Sequence, residues 1–284
     1  MLSNASTLSL SNGVKIPSIG IGTFNVKPAD CEKALDFALH NGYRLIDTAN
    51  AYFNEKAVGR AIKKSSVPRE EIFLSTKLWP SVYDDPNGIE QTFERLQVDY
   101  IDLLFLHQPA GNFEAGYRNL EKLYNEKRIR AIGISNFEGE KLDKFLKSVD
   151  IKPHVIQAEA HPYFPRKELL RQLKPYGISI MGWFPLGHGD QSLMNQEIFT
   201  RLGKKYHKSN AQIILRWHVQ KGFITIPGAI TPEFILANID VFDFKLTDDE
   251  MAEIAKLGNG KRYYDLNEDE YEKLAQSITS FDQE

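Results

Sequence analysis

Four polar residues, Asp47, Tyr52, Lys77 and His107, follow apolar runs that read as β-strands. The runs are Tyr43-Arg44-Leu45-Ile46, ahead of Asp47 and Tyr52, then Glu71-Ile72-Phe73-Leu74-Ser75, and Ile101-Asp102-Leu103-Leu104-Phe105-Leu106. A carboxylate, a phenol, an ammonium and an imidazole gathered in one place make a proton-transfer site, because a phenol can release its proton while a nearby cation steadies the anion left behind. Some element must deliver all four to a common rim. Short apolar runs separated by helical patterns predict buried parallel strands in repeated β/α units, and in such sheets and barrels the active site lies at the C-terminal strand ends.

The rest of the chain supplies the repeats. Thr7-Leu8-Ser9-Leu10 and Val14-Lys15-Ile16 flank Ser11-Asn12-Gly13, whose Asn-Gly pair signals a β-hairpin over 7–16. A first strand over 18–22 follows, with further strands near 43–47, 72–76, 101–106, 130–135, 154–158, 178–182 and 223–226. Helical spacing occupies 28–41, 54–64, 85–97, 114–127, 138–148, 166–175, 196–206, 209–221, 233–239 and 247–257, leaving a C-terminal tail from about 258 to 284. Eight strands interleaved with helices and no linker predict one domain over 1–284, a (β/α)8 TIM barrel preceded by a hairpin. A doubly wound sheet would announce a dinucleotide site by Gly-x-Gly-x-x-Gly, and Gly20-Ile21-Gly22-Thr23-Phe24-Asn25 carries only two of the three glycines.

Composition narrows the function classes. The 284 residues are 42% hydrophobic and 26% charged, enough for an α/β barrel, which needs roughly 250. A net charge of −3 without single-sign blocks offers nothing to nucleic acid. Cys31 is the single cysteine, so no intramolecular disulfide framework exists. The opening residues lack a basic start followed by a long apolar stretch, and no run of about 18 apolar residues occurs, so no membrane partner and a cytoplasmic location are expected. The seven histidines show no compact ligand spacing, and no metal is expected.

The motifs together resemble the aldo-keto reductases, barrel oxidoreductases that use nicotinamide cofactors. The matching segments are Gly42-Tyr43-Arg44-Leu45-Ile46-Asp47-Thr48-Ala49 with Tyr52, Ser75-Thr76-Lys77-Leu78-Trp79, Leu103-Leu104-Phe105-Leu106-His107, Ile132-Gly133-Ile134-Ser135-Asn136-Phe137, Gln157-Ala158-Glu159 and Pro185-Leu186-Gly187, in family order. The resemblance implies reduction of aldehydes or ketones to alcohols by hydride transfer from NADP(H) or NAD(H). Tyr52 is then the general acid, Lys77 lowers its pKa, Asp47 holds Lys77, and His107 orients the carbonyl. It also implies cofactor contacts at Gly22, Thr23, Phe24, Asp47, Ser135, Asn136 and Gln157, with Trp183 stacking on the nicotinamide. Pro185, Leu186, Gly187 and His188 would form a loop over the pyrophosphate, short for a lid. Ile226, Pro227, Gly228, Ala229, Phe234 and Asn238 would surround the adenosine.

One stretch departs from the family. NADPH-preferring relatives carry Lys-Ser at the positions of Gly228-Ala229 and Arg at that of Phe234, so the clasp for the 2′-phosphate is absent and weak discrimination between NADPH and NADH is expected. Another cation, such as Lys204, Lys205 or Lys245, is a candidate substitute. Phe24, Tyr52, Trp79, His107 and Phe113, with Tyr163, are expected to wall a pocket for a small-molecule carbonyl, in a monomer. The alternative implied by the family is a nicotinamide-binding regulatory subunit with little turnover.

Overall fold

The computed structural model describes residues 6–281. Strands β1 (Thr7–Ser9) and β2 (Lys15–Pro17) pair antiparallel, with Thr7 opposite Pro17, and Gly13 takes the left-handed backbone their turn requires (φ 84°). Eight parallel strands follow: β3 (Ile21–Gly22), β4 (Leu45–Asp47), β5 (Phe73–Leu78), β6 (Leu103–Leu106), β7 (Ile132–Ser135), β8 (Val155–Glu159), β9 (Ser179–Trp183) and β10 (Ile224–Thr225). Helices α1 (Pro28–His40), α2 (Glu55–Lys64), α3 (Pro86–Leu96), α4 (Phe113–Asn125), α5 (Gly139–Ser148) and α6 (Lys167–Leu173) alternate with them. After β9 come α7 (Gln191–Met194), α8 (Glu197–Tyr206) and α9 (Asn210–Gln220), and after β10 come α10 (Pro232–Ile239), α11 (Asp248–Ala255) and α12 (Glu268–Ala275).

The sheet closes on itself. Ile19 bridges Thr225 and Gly22 bridges Gly228, and the Gly20 N–H donates to the Thr225 carbonyl at 2.9 Å. A Cβ at Gly22 would stand 2.9 Å from the Ile226 carbonyl oxygen, so the seam requires glycine there. This is the (β/α)8 barrel that the alternating pattern predicts.

Alternation along each strand divides the core in two. Leu74 and Leu78 of β5 face the helices with Ile46, Leu104 and Ile134, whereas Phe73 faces the lumen with Leu45, Leu103, Phe105 and Val155. Leu10 and Ile16 of the hairpin join that lumen cluster at the beginnings of the strands, so apolar side chains plug one end of the barrel. Gly133 leaves room for Phe105, whose ring atoms would lie 2.2 Å from a Cβ there.

Two expectations change. Lys77 lies within β5, not beyond it, because the strand runs on past 76 to Leu78. The tail from about 258 contains α12, begun by a capping box in which Asn267 and Glu270 satisfy each other's backbone N–H groups. Among the described residues no helix is long and apolar enough to cross a membrane.

Candidate active site

Above the apolar plug the lumen turns polar on the same alternating positions. Asp47 is two residues beyond Leu45, Ser75 and Lys77 follow Phe73 at intervals of two, and Gln157 and Glu159 follow Val155 likewise. The period of two therefore delivers a polar layer to the C-terminal end of the barrel. Asp47 and Gln157 of that layer line a cavity of about 670 Å³, with Lys77 buried behind Asp47.

Lys77 is fully buried, and its ammonium donates to Asp47 Oδ2 at 2.7 Å and to the Thr48 carbonyl at 2.8 Å. Asp47 Oδ1 accepts from Ser75 Oγ at 2.7 Å and from Gln157 Nε2 at 2.9 Å. Such bonds offset the large cost of burying both charges. Tyr52, on a 3-10 turn over Asn50–Tyr52, places its ring centroid 4.7 Å from the Lys77 ammonium. His107 directly follows β6, with its ring 5.5 Å from that of Tyr52 and 5.1 Å from that of Trp79.

Burial and Lys77 act on the Tyr52 phenol in opposite directions. Burial pushes the Tyr52 phenol above its ordinary value; Lys77 pulls it down and Asp47 pushes it up, so the net direction is upward. The cation tempers the rise without reversing it, because burial outweighs it. Burial, helped by Lys77, holds His107 well below 6.5, leaving a neutral imidazole. A protonated phenol and a neutral imidazole thus stand side by side at neutral pH.

Polar amides and aromatic rings line the adjoining wall. Asn136, at φ 63°, donates to Gln108 Oε1 at 3.0 Å and accepts from the Trp183 indole N–H at 3.1 Å. Ser135, Gln157, Trp183, Pro185, Leu186 and His188 face the same cavity, as do Gly22, Phe24, Ile226, Pro227 and Gly228. The Phe184 ring stacks on His188 at 4.3 Å and meets Trp183 edge-on at 4.7 Å.

Other expected residues lie outside it. Thr23 is buried beneath the rim, its hydroxyl donating to the Asp47 carbonyl at 3.2 Å. Gly187 is also buried, and a Cβ there would stand 2.6 Å from Leu193. Ala229, Phe234 and the buried Asn238 sit beyond the cavity on or beside α10, with Phe234 64% exposed. Lys205 is committed to Glu250 at 2.6 Å. Phe113 does not line this cavity: as the first residue of α4 it packs edge-on against Phe137 at 5.3 Å. Tyr163 likewise faces away, donating to the Ser192 carbonyl at 2.8 Å.

Several lining residues escape a reading by motif. Gln108, Phe184, Met194 and Tyr264 line the cavity, with Leu274 and Ile278 from the segment around α12. The capping box at Asn267 and the apolar spacing Tyr271-Leu274-Ala275 were the available signals for that helix. Among the described residues no cluster of three or more His, Cys, Asp or Glu is placed to hold a metal.

Comparison with known proteins bears on this arrangement. The model of the Aldo/keto reductase family matches residues 18–259. The chain is similar to the glyoxal reductase of Bacillus subtilis (strain 168), 42% identical over 265 residues, covering 90% of this chain and 94% of that one. Among solved structures it superposes on an aldo-keto reductase enzyme from a Medee basin deep-sea metagenome library with TM-score 0.88 and 38% identity, covering 91% of this chain and 97% of the other. An aldo-keto reductase of Bombyx mori in complex with NADP gives TM-score 0.85 at 29% identity, covering 92% of this chain and 95% of the other.

Proposed function

The chain belongs to the aldo/keto reductase family and is an oxidoreductase acting on the carbonyl/alcohol couple, and from that premise we propose that it reduces small neutral aldehydes and ketones with a nicotinamide dinucleotide, Tyr52 giving the proton. The observation that carries this reading is the convergence of Tyr52, His107 and the Asp47-held Lys77 on one cavity. A carbonyl oxygen between Tyr52 and His107 receives a hydrogen bond from each as negative charge grows on it. Tyr52 starts protonated because burial keeps its phenol up, and it passes that proton to the oxygen. Lys77 then steadies the phenolate left behind, and Asp47, Ser75 and Gln157 keep Lys77 in register.

The residues fit a nicotinamide nucleotide. Ser135 and Gln157 line the cavity side by side on neighbouring strands, a hydroxyl and an amide that make a donor-acceptor set for a carboxamide. Trp183 offers an aromatic face beside them. The cofactor supplies hydride to the carbonyl carbon when bound. Among the described residues no lysine or arginine lines the cavity, which supports neutral substrates, the class to which glyoxal belongs, over carboxylates or phosphates.

The same lack of cations extends to Gly228, Ala229 and Phe234, so we expect little preference for NADPH. Two missing charge-assisted bonds amount to about 3–6 kcal/mol, or roughly 10²–10⁴ in affinity for the phosphorylated form. Steady-state assays with methylglyoxal, benzaldehyde and a phosphorylated aldehyde test the substrate reading, which fails if neither neutral carbonyl turns over with either cofactor. Titration of the protein with NADH and NADPH by tryptophan fluorescence tests the cofactor reading, which fails if NADPH binds about a hundredfold tighter.

A further inference from the structure

Glu159 ends the lumen face of β8, two residues beyond Gln157, and no step above uses it. Its side chain is 1% exposed. Oε1 accepts from the Tyr263 backbone N–H at 2.7 Å and pairs with His161 Nε2 at 2.9 Å, while Oε2 accepts from the Tyr264 N–H at 3.2 Å. Three donors converge, so the position calls for a group that only accepts; an amide would turn its own NH₂ toward one of them.

The chain held this way crosses the open end of the barrel. Gly260 N–H donates to the Tyr163 carbonyl at 3.0 Å, Lys261 and the Tyr263 hydroxyl both reach Asp190 Oδ2, at 2.5 and 2.6 Å, and Arg262 reaches Glu138 at 3.2 Å. Tyr264 lies just beyond this strap. It lines the cavity and meets the Trp183 ring edge-on at 5.6 Å, with Leu274 and Ile278 continuing the wall.

We propose that Glu159 is a positioning residue for carbonyl binding: its carboxylate fixes the backbone at Tyr263 and Tyr264 so that Tyr264 forms the wall against the distal part of the substrate. The proposal rests on the reading of this cavity as the site of carbonyl reduction. A keto-aldehyde as small as methylglyoxal is held at Tyr52 and His107 without reaching that wall, whereas the ring of benzaldehyde leans on it.

The test compares the two substrates. In Glu159→Gln the KM for benzaldehyde rises roughly tenfold, the scale of one lost charged hydrogen bond, while kcat and the KM for methylglyoxal move less than about twofold. Tyr264→Ala raises the benzaldehyde KM similarly, and adding Glu159→Gln to it changes little further, because both act on one wall. Should Glu159→Gln not fold, Glu159→Asp keeps the charge but draws the strap back by one methylene, with a smaller shift in the same direction. Unchanged benzaldehyde KM in the folded variants, or additive effects in the double variant, overturns the proposal. Equilibrium binding of benzaldehyde provides the comparison without turnover. An inactive wild type overturns the reduction reading alone, and equal benzaldehyde affinity in wild type and Glu159→Gln overturns the positioning role.

Discussion

Strand β5 carries two adjacent residues that serve two buried ion pairs on opposite faces. On the lumen side Lys77 meets Asp47 at 2.7 Å; on the helix side Thr76 donates to Glu55, which pairs with Arg95 at 2.8 Å. Both pairs are almost fully buried, and in each a strand hydroxyl, Ser75 or Thr76, donates to the carboxylate at 2.7 Å. Only their surroundings differ. The lumen pair borders a phenol and an open cavity, whereas the helix-side pair is sealed between α2 and α3, which approach so closely that a Cβ at Gly59 would stand 2.4 Å from the Leu96 carbonyl oxygen. Burial of a charge pair is therefore no mark of catalysis. What the pair faces decides whether its field does chemistry or only braces helices.

The largest expected effect is at the lumen. Tyr52→Phe should lower kcat for a good aldehyde by about 10²–10⁴, the usual worth of a positioned acid, with cofactor affinity retained. A variant keeping more than half the wild-type kcat removes Tyr52 from the mechanism. Lys77→Met, by withdrawing the one cation that draws the phenol down, should slow turnover and move the alkaline limb of the pH profile upward; an unmoved limb would mean that Lys77 does not act on Tyr52.

Arg95→Met should do the reverse. Breaking a buried pair from one side costs about 3–5 kcal/mol, so urea denaturation should show a large loss of stability while the folded enzyme keeps its kcat. If kcat falls as it does for Tyr52→Phe with stability intact, the contrast between the two pairs collapses.

The neighbouring hydroxyls sharpen it further. Ser75→Ala and Thr76→Val each remove one bond to a buried carboxylate, about 1.5–3 kcal/mol. Ser75→Ala should reduce kcat as well as stability, because Asp47 sets Lys77; Thr76→Val should reduce stability alone. Equal kinetic losses from the two would contradict the facing argument.

A smaller effect should accompany acidification. Burial holds His107 well below 6.5 and His218 down at about 3, while the unfolded chain takes up those protons near 6.5. Between the folded and unfolded values the unfolded state binds more protons, so the stability contribution is complete above about pH 6.5 and declines as pH falls toward 3. Melting temperatures across that range check it, and a flat profile would mean that these imidazoles are protonated in the fold.

The sequence alone carried the barrel, because apolar runs of strand length alternating with amphipathic segments admit few other packings. It also carried Asp47, Lys77 and His107 as a group, since strands of period two convert spacing into a shared face, with Tyr52 on the turn that follows β4. The tertiary structure decided the rest. Lys77 proved to lie inside a strand, as local apolarity cannot reveal that a lumen layer accepts charge once Asp47 and Thr48 satisfy it. Phe113, expected in the pocket, turned out to pack against Phe137 instead, because an aromatic residue after a strand has the same local pattern in either setting. Tyr264 lines the cavity, and its backbone N–H donates to Glu159, more than a hundred residues earlier. Such a contact leaves no local pattern: the donor is a backbone N–H that nearly every residue possesses, and only the folded chain selects which one a buried carboxylate receives.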